Sequence, residues 1–188
     1  MIMKLSVNKN IALSIILGIF TLVIINRITP PWIDPVIKLT ISKNRVGINN
    51  IHQARNIEFT KEVMVDVLDL AHKSRFRHSR LGDIGYVDNF FVDISKSFTV
   101  KTAGKYRFNV SSDDGFSLSI DGKRLCEHVG DRPLTLQSCP LELSKGEHQF
   151  ELIYFQGFGN AGLKVDYLNE LDKKVYVFGE NSKHLNFD

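Results

Sequence analysis

The sequence lacks the short motifs that mark common catalytic centres. It contains no Gly-x-Ser-x-Gly elbow, no His-Glu-x-x-His zinc motif and no glycine-rich phosphate loop. Its six histidines are scattered along the chain, and none has an obvious nucleophile partner. A pair of carboxylates facing each other across a cleft, as in glycosidases, is not indicated either. The chain is therefore not expected to be an enzyme.

Strong charge is also missing. The formal net charge is only +3, so nucleic acid is not an expected partner. There is no internal repeat and no low-complexity tract. The 188 residues suffice for one domain plus an appendage, and the 13 phenylalanines, with many Val, Ile and Thr, favour strands.

One long apolar run is present near the start. Ile11 to Ile25 carries no charge, and residues 11–26 are predicted to be a transmembrane signal-anchor. Residues 1–10 form a positive n-region with Lys4 and Lys9, which the positive-inside tendency places in the cytoplasm. A single-pass protein of the cytoplasmic (inner) membrane is expected, with its C-terminal domain on the periplasmic or extracellular side.

A cleaved signal peptide is the alternative for this segment. Cleavage needs small residues in an Ala-x-Ala pattern, and the exit Val23 to Ile28 offers none, so an uncleaved anchor is favoured. Residues 27–35 are a proline-rich linker in which Trp32 suits the membrane interface. The linker is short, which favours ligands or partners near the membrane surface.

The remaining residues, 36–188, are predicted to form one β-rich domain. A first strand is indicated at 36–42, and loop at 48–57. Residues 58–73 favour a helix by their apolar spacing, although Val63, Val65 and Val67 also alternate as in a strand. The basic stretch 72–80 is interpreted either as a patch for an anionic ligand or as a solvated loop or helix end.

From Asp83 onward the pattern is that of short strands. Apolar and polar residues alternate around Phe90, Phe108, Leu118, Leu152 and Val165. Asp121-Gly122 is a two-residue hairpin signal, and a last strand is indicated at 174–178. Such strands with regular turns predict an all-β antiparallel sandwich or barrel.

Two cysteines, Cys126 and Cys139, lie in one inter-strand excursion. A disulfide is permitted outside the cytoplasm. By closing a loop of this length, it would stabilise the folded state by roughly 3 kcal/mol. Free thiols are the alternative, and a metal site would need more Cys or His than His128 supplies.

Several of these pieces together resemble the PA14 domain family, most clearly over residues 85–167. The carrying segments are Ser97-Phe98-Thr99-Val100, Ala103 to Phe108, Ser112-Asp113-Asp114-Gly115-Phe116-Ser117-Leu118, Ile120 to Lys123, Leu141 to His148, Ile153-Tyr154-Phe155 and Gly159 to Leu163. The resemblance implies a PA14-like antiparallel β-sandwich that serves as a binding module, often for carbohydrate.

In the lectin branch of that family, two adjacent Asp residues joined by a cis peptide hold Ca²⁺, and sugar hydroxyls complete its coordination. The resemblance thus implies Asp113, Asp114 and Asn160 as Ca²⁺ ligands. It also implies a ligand-binding loop of Gln156, Gly157, Phe158 and Gly159. This agrees with the chemistry of Ca²⁺, which takes six to eight oxygens from carboxylates and carbonyls. The alternative is that Asp113-Asp114-Gly115 is simply a turn.

Two functions are therefore expected. The first is a membrane-anchored binding module that recognises a glycan or cell-envelope polymer, with Ca²⁺ as cofactor. The alternative is a structural or interaction subunit of a membrane protein complex, which would dock onto an envelope protein without binding sugar.

Overall fold

The computed structural model describes residues 8–29 and 32–188 and contains two compact units, which meet in sequence between Trp32 and Ile33. Lys4 of the expected n-region, and Pro30 and Pro31 of the expected linker, lie outside the described residues. Each unit is described by itself below.

Within residues 8–29, the first unit contains helix α1 (Lys9–Ile28), which is slightly longer at both ends than the predicted span. The side chain of Asn8 caps it by accepting a hydrogen bond from the amide of Asn10 at 3.3 Å. Ser14 and Thr21 donate to carbonyls four residues earlier, at 2.9 and 2.8 Å, so their hydroxyls are satisfied within the helix. The helix is long and apolar enough to cross a membrane.

The second unit is built from strands. They are β1 (Ile37–Asn44), β2 (Ile57–Val65), β3 (Ala71–His72), β4 (Arg75–His78), β5 (Gly82–Asp83), β6 (Phe90–Val100), β7 (Gly104–Asp113), β8 (Phe116–Ile120), β9 (Lys123–His128), β10 (Thr135–Leu143), β11 (Gly146–Gln156), β12 (Gly162–Asn169), β13 (Val175–Val177) and β14 (Leu185–Asn186). The all-β prediction is confirmed.

Two antiparallel sheets form the sandwich. The larger sheet has the order β2-β1-β6-β11-β8-β9, with β14 on the free part of β6. The smaller has the order β10-β7-β12-β13, and a third, small sheet consists of β3-β4-β5. Alternate side chains of the two main sheets meet in one core, where Phe98 and Phe150 of the larger sheet pack near Phe108 of the smaller one.

The two cysteines form a disulfide, with a Cα–Cα distance of 6.0 Å. Cys126 lies on β9 and Cys139 on β10, at the edges of different sheets. From the sequence, the bond is expected only to close one loop between strands. In the structure it also joins the two layers of the sandwich along one side.

The helix predicted for residues 58–73 is wrong. Residues Ile57–Val65 form β2, which pairs with β1 from Ile37↔Val65 onward. The strand lies at the edge of the sheet and is exposed along most of both faces. Because neither face is buried, its apolar residues do not alternate as they do in a half-buried strand. Their spacing happened to match that of a helix. Part of the basic stretch that follows forms the β3–β4 hairpin instead of a helix end.

Candidate functional site

The two adjacent aspartates lie where β7 ends. Asp113 is the last residue of that strand, and the peptide bond that joins it to Asp114 is cis, as the resemblance implies. Asp113 pairs with Gly162, the first residue of β12. The loop between β11 and β12, which contains the predicted residues 157–160, therefore returns to the aspartates.

Asp114 connects this loop to a second one. Its carboxylate accepts hydrogen bonds from the amide of Gly157 at 2.8 Å and from the amide of Arg132 at 3.3 Å. Its backbone carbonyl accepts from the hydroxyl of Ser112 at 2.6 Å. Asp114 is buried, with an exposed fraction of 5%. Its position is thus fixed from three directions.

Two glycines permit this close packing. A Cβ on Gly157 would lie 2.5 Å from the carbonyl oxygen of Ile48, and one on Gly115 would lie 2.4 Å from the ring of Phe155. Real Cβ atoms do not approach backbone or rings so closely, so both positions require glycine for lack of space. The β1–β2 loop, through Ile48, thereby borders the site.

A buried tyrosine links the aspartates to the rest of the loop. The hydroxyl of Tyr154 donates to the backbone carbonyl of Asp113 and lies 2.8 Å from Oε1 of Gln156. The amide group of Gln156 in turn donates to the backbone carbonyl of Asn160 at 2.6 Å. Sequence reasoning missed this role of Tyr154, because the alternation that predicts its burial says nothing of its hydroxyl.

The predicted loop residues differ in accessibility. Gln156 and Gly157 are buried, whereas Phe158, Gly159 and Asn160 are exposed. Phe158 is 85% exposed, and Gly159 adopts a φ of +97°, which favours glycine. The exposed side chain of Asn160 is open to a ligand, while its backbone carbonyl is bound to Gln156. The fold thus brings the predicted residues to one end of the sandwich.

The carboxylates are placed where negative charge is unfavourable. Burial, together with the adjacent charge of Asp114, raises the pKa of Asp113 to about 6, although the amide of Leu134 partly offsets this. Burial also raises the pKa of Asp114, against the hydrogen bonds from Gly157 and Arg132. A divalent cation between the carboxylates would relieve both effects.

The donor set fits Ca²⁺ better than a transition metal. Among residues 8–29 and 32–188, no group of three or more His, Cys, Asp or Glu side chains could hold a metal ion. A cation at Asp113 and Asp114 would have to complete its coordination with amide or carbonyl oxygens, water or ligand hydroxyls. Ca²⁺ accepts this mixture of oxygens, whereas Zn²⁺ prefers nitrogen and sulfur.

Comparison with known proteins gives a consistent family. Residues 85–175 match the family model described as PA14 domain. No curated protein matches the chain in sequence. Three solved structures illustrate the similarity in fold.

The PA14 domain of the antifreeze protein MpAFP is 15% identical, with a TM-score of 0.60 over 80% of this chain and 90% of that one. The PA14 sugar-binding domain of an RTX adhesin is 16% identical, with a TM-score of 0.57 over 76% and 93%. The epithelial adhesin 9 A domain of Candida glabrata, in complex with Galβ1-3GlcNAc, is 11% identical, with a TM-score of 0.56 over 81% and 89%. At such identities these structures show the fold alone. Residues 85–175 therefore match the PA14 domain family in sequence, and the sandwich that contains them has a PA14-like fold.

Proposed function

We propose that this protein is a membrane-anchored PA14 binding module that recognises a glycan or cell-envelope polymer outside the cytoplasm. Asp113, Asp114 and the Asn160 side chain would hold Ca²⁺, and hydroxyls of the glycan would complete its coordination. The observation that carries the proposal is the pair of buried carboxylates beside an exposed loop. Helix α1 would serve as the anchor, with Lys9 on the cytoplasmic side.

A binding role is favoured over a catalytic one by the same geometry. Asp113 and Asp114 are consecutive, and the charge of Asp114 adds to burial in raising the pKa of Asp113. Glycoside hydrolysis instead needs two carboxyl groups on opposite sides of the bond that breaks. The relatives named above include a sugar-binding domain and a domain in complex with a disaccharide, which supports the glycan as ligand.

Calcium titration of the full chain in non-ionic detergent tests the metal site. Isothermal titration should show saturable Ca²⁺ binding that Asp114→Ala removes. Asp121→Ala, which deletes an exposed carboxylate at the other end of β8, is the matched control and should bind as the wild type does. A wild-type chain that binds no Ca²⁺ at millimolar concentration would contradict the metal-bridged mechanism. A glycan array read with Ca²⁺ and with a chelator then tests the ligand.

A second candidate function is that of an interaction subunit, and edge strand β2 favours it. The nine residues Ile57–Val65 leave one side of the strand without a partner among the described residues, and Phe59 is 59% exposed. Such an edge can add a strand from another protein. Cross-linking from membranes should then return one stoichiometric partner, and Thr60→Pro should weaken it. An unspecific mixture of proteins would contradict this function.

A further inference from the structure

A cavity of about 370 Å³ lies directly beside the candidate site. Gly159 and Asn160 of the exposed loop form one side of it, and the tip of the β3–β4 hairpin, with Lys73 and Arg75, forms another. Its volume is at the lower end of the roughly 300–1,000 Å³ typical of ligand pockets. A ligand held at Asn160 would therefore have room to extend into this cavity.

The hairpin is fixed against the candidate site rather than hanging free. Lys73 and Ser74 have φ angles of 56° and 57°, which is the geometry of a tight two-residue turn between β3 and β4. The carbonyl of Ser74 accepts a hydrogen bond from the amide of Ala161 at 3.1 Å. Close by, a Cβ on Gly162 would lie only 2.9 Å from the side chain of Ala71. The positions of Lys73 and Arg75 are thus tied to the residues that follow Asn160.

The charge of the cavity is positive. Two basic residues and one acid, Asp83, line it. Asp83 is shared, since Arg77 lies 3.0 Å from its carboxylate and Arg75 lies 4.0 Å away. Lys73 is exposed and forms no ion pair within residues 8–29 and 32–188. The cavity therefore has cationic groups that a ligand could still pair with.

The remaining walls suit a sugar ring. Asn160 and Ser74 offer polar groups, and the half-buried ring of Tyr86 offers aromatic surface, while Phe76 is buried behind this wall. Tyr86 lies under the ammonium group of Lys61, 4.5 Å from its ring centroid, which adds a further positive charge near this wall. Hydroxyl-binding groups, an aromatic wall and available cations together match an acidic sugar better than a neutral one.

We propose that this cavity binds a negatively charged sugar unit, next to the unit held at Asp113 and Asp114, so that the module selects acidic glycans. The proposal rests on the proposed function, because it assigns the class of glycan that the same site takes. The charge on the sugar would be a carboxylate, sulfate or phosphate, any of which pairs with Lys73 and Arg75.

The test uses a glycan array that carries uronic-acid, sulfated and phosphorylated glycans beside their neutral parents. The full chain in non-ionic detergent should bind acidic members about tenfold more strongly, because each partly solvated ion pair contributes roughly threefold. Raising the ionic strength from about 0.05 to 0.5 M should shrink this preference. The double variant Lys73→Gln/Arg75→Gln should abolish the preference and leave Ca²⁺-dependent binding of neutral glycans unchanged. Glutamine removes the charge but keeps much of the length of both side chains. It is also an unbranched residue, so it places similar demands on the backbone of the turn.

A matched control removes two positive charges at the other end of the sandwich. Lys123→Gln/Lys145→Gln changes the net charge equally, but Lys145 precedes β11 and lies roughly 35 Å along the strand from Gln156. It should keep the preference for acidic glycans.

The outcomes separate the two proposals. Equal Ca²⁺-dependent binding of acidic and neutral members, or an equal loss of preference in both double variants, overturns the acidic cavity and leaves the proposed function standing. Absence of binding to any glycan, with Ca²⁺ or with a chelator, overturns the proposed function. Binding of acidic members alone, unaffected by a chelator and lost in Lys73→Gln/Arg75→Gln, supports the cavity and contradicts the calcium mechanism.

Discussion

The dipeptide Asp-Gly occurs at both ends of strand β8, and the two copies behave in opposite ways. Asp114-Gly115 precedes the strand and is buried, whereas Asp121-Gly122 follows it and is exposed. Gly122 has a φ of +72° and open space around it, so it serves the backbone of a tight turn. Gly115 serves as a gap into which Phe155 and the carbonyl of His128 fit.

The electrostatics of the two aspartates differ in the same sense. Burial raises the pKa of Asp114, and the pKa of its neighbour Asp113 is raised to about 6. Burial acts to raise the pKa of Asp121 as well, but hydrogen bonds from Gln149 and His148 outweigh it and lower that pKa. The negative charge of Asp121 therefore stabilises the end of β8 that it occupies, the turn end. The negative charges of Asp113 and Asp114 destabilise the opposite end, the site end, until a cation binds. The same dipeptide therefore forms a simple turn at one end of β8 and part of the candidate site at the other, and the surrounding residues decide which.

Removing the disulfide should have the largest effect and should act on the site end. Cys126 and Cys139 close the loop whose amides, from Arg132 and Leu134, bind the two aspartates. Cys126→Ala/Cys139→Ala should lower the free energy of unfolding by about 3 kcal/mol, the usual value for a loop of this length. Urea unfolding of the full chain in detergent measures it.

The same variant should also weaken Ca²⁺ binding, because the loop that fixes the aspartates is freed. At the turn end, the His148–Asp121 pair, 2.7 Å apart, should be unaffected, which the NMR shifts of the His148 ring can report. A variant that changes both ends equally would contradict the separation.

Alanine at the two glycines gives the next largest difference. Gly115→Ala forces a methyl group into the ring of Phe155 and should cost about 2–3 kcal/mol. Gly122→Ala meets no atom and only strains the backbone, at about 1 kcal/mol. Urea unfolding of both variants tests the difference. Equal losses would mean that Gly115, too, serves only backbone conformation.

Much of the sandwich could be predicted from the sequence because one face of most strands is buried. In β7, Tyr106, Phe108 and Val110 point into the core, and the residues between them are partly exposed, so alternation and structure agree. The aspartates and the loop up to Asn160 lie together at one end of the sandwich. The family resemblance supplied that pairing, which spacing alone does not give.

The region from Ile57 to Asp83 could not be predicted, for two physical reasons. Strand β2 is exposed on both faces, so no burial pattern constrains its sequence. Strands β3 and β5 have two residues each, and Leu70, the residue before β3, donates a hydrogen bond to Leu163, which is distant in sequence. The cationic cavity beside Asn160 depends on that hairpin. The basic residues were visible in the sequence, but their neighbours were not.

Neutralising the aspartates one at a time should give effects of opposite sign. Asp113→Asn, without Ca²⁺ at pH 7.5, should raise the free energy of unfolding by about 1–3 kcal/mol, because it removes a buried charge. Asp121→Asn should lower it, by less than about 1 kcal/mol since that side chain is half exposed. Urea unfolding with a chelator present measures both changes.

The sign follows from proton binding. The raised pKa of Asp113 means that the folded chain retains a proton between about pH 4 and 6 which the unfolded chain has lost. The stability that protonated Asp113 contributes is complete below that range and is lost as the pH rises through 6. Asp121 contributes in the opposite direction, above the pKa of the unfolded chain. At pH 3 both substitutions should have almost no effect, and a persistent gain in Asp113→Asn would point to packing instead of charge.

Acidification should have a smaller, distinct effect on the calcium site. A proton on Asp113 competes with Ca²⁺, so with a pKa of about 6 the affinity should fall about tenfold between pH 7 and pH 5. Titrations at several pH values should show this slope in the wild type and in Asp121→Asn. Asp113→Asn should bind more weakly at pH 7 and lose most of the slope. A wild-type affinity independent of pH over this range would show that Asp113 does not bind the ion. Asp114 would then be the one carboxylate of the pair that binds Ca²⁺. The two Asp-Gly dipeptides that flank β8 would still differ in burial, but a second carboxylate would no longer distinguish the end of β7 from the Asp121 turn.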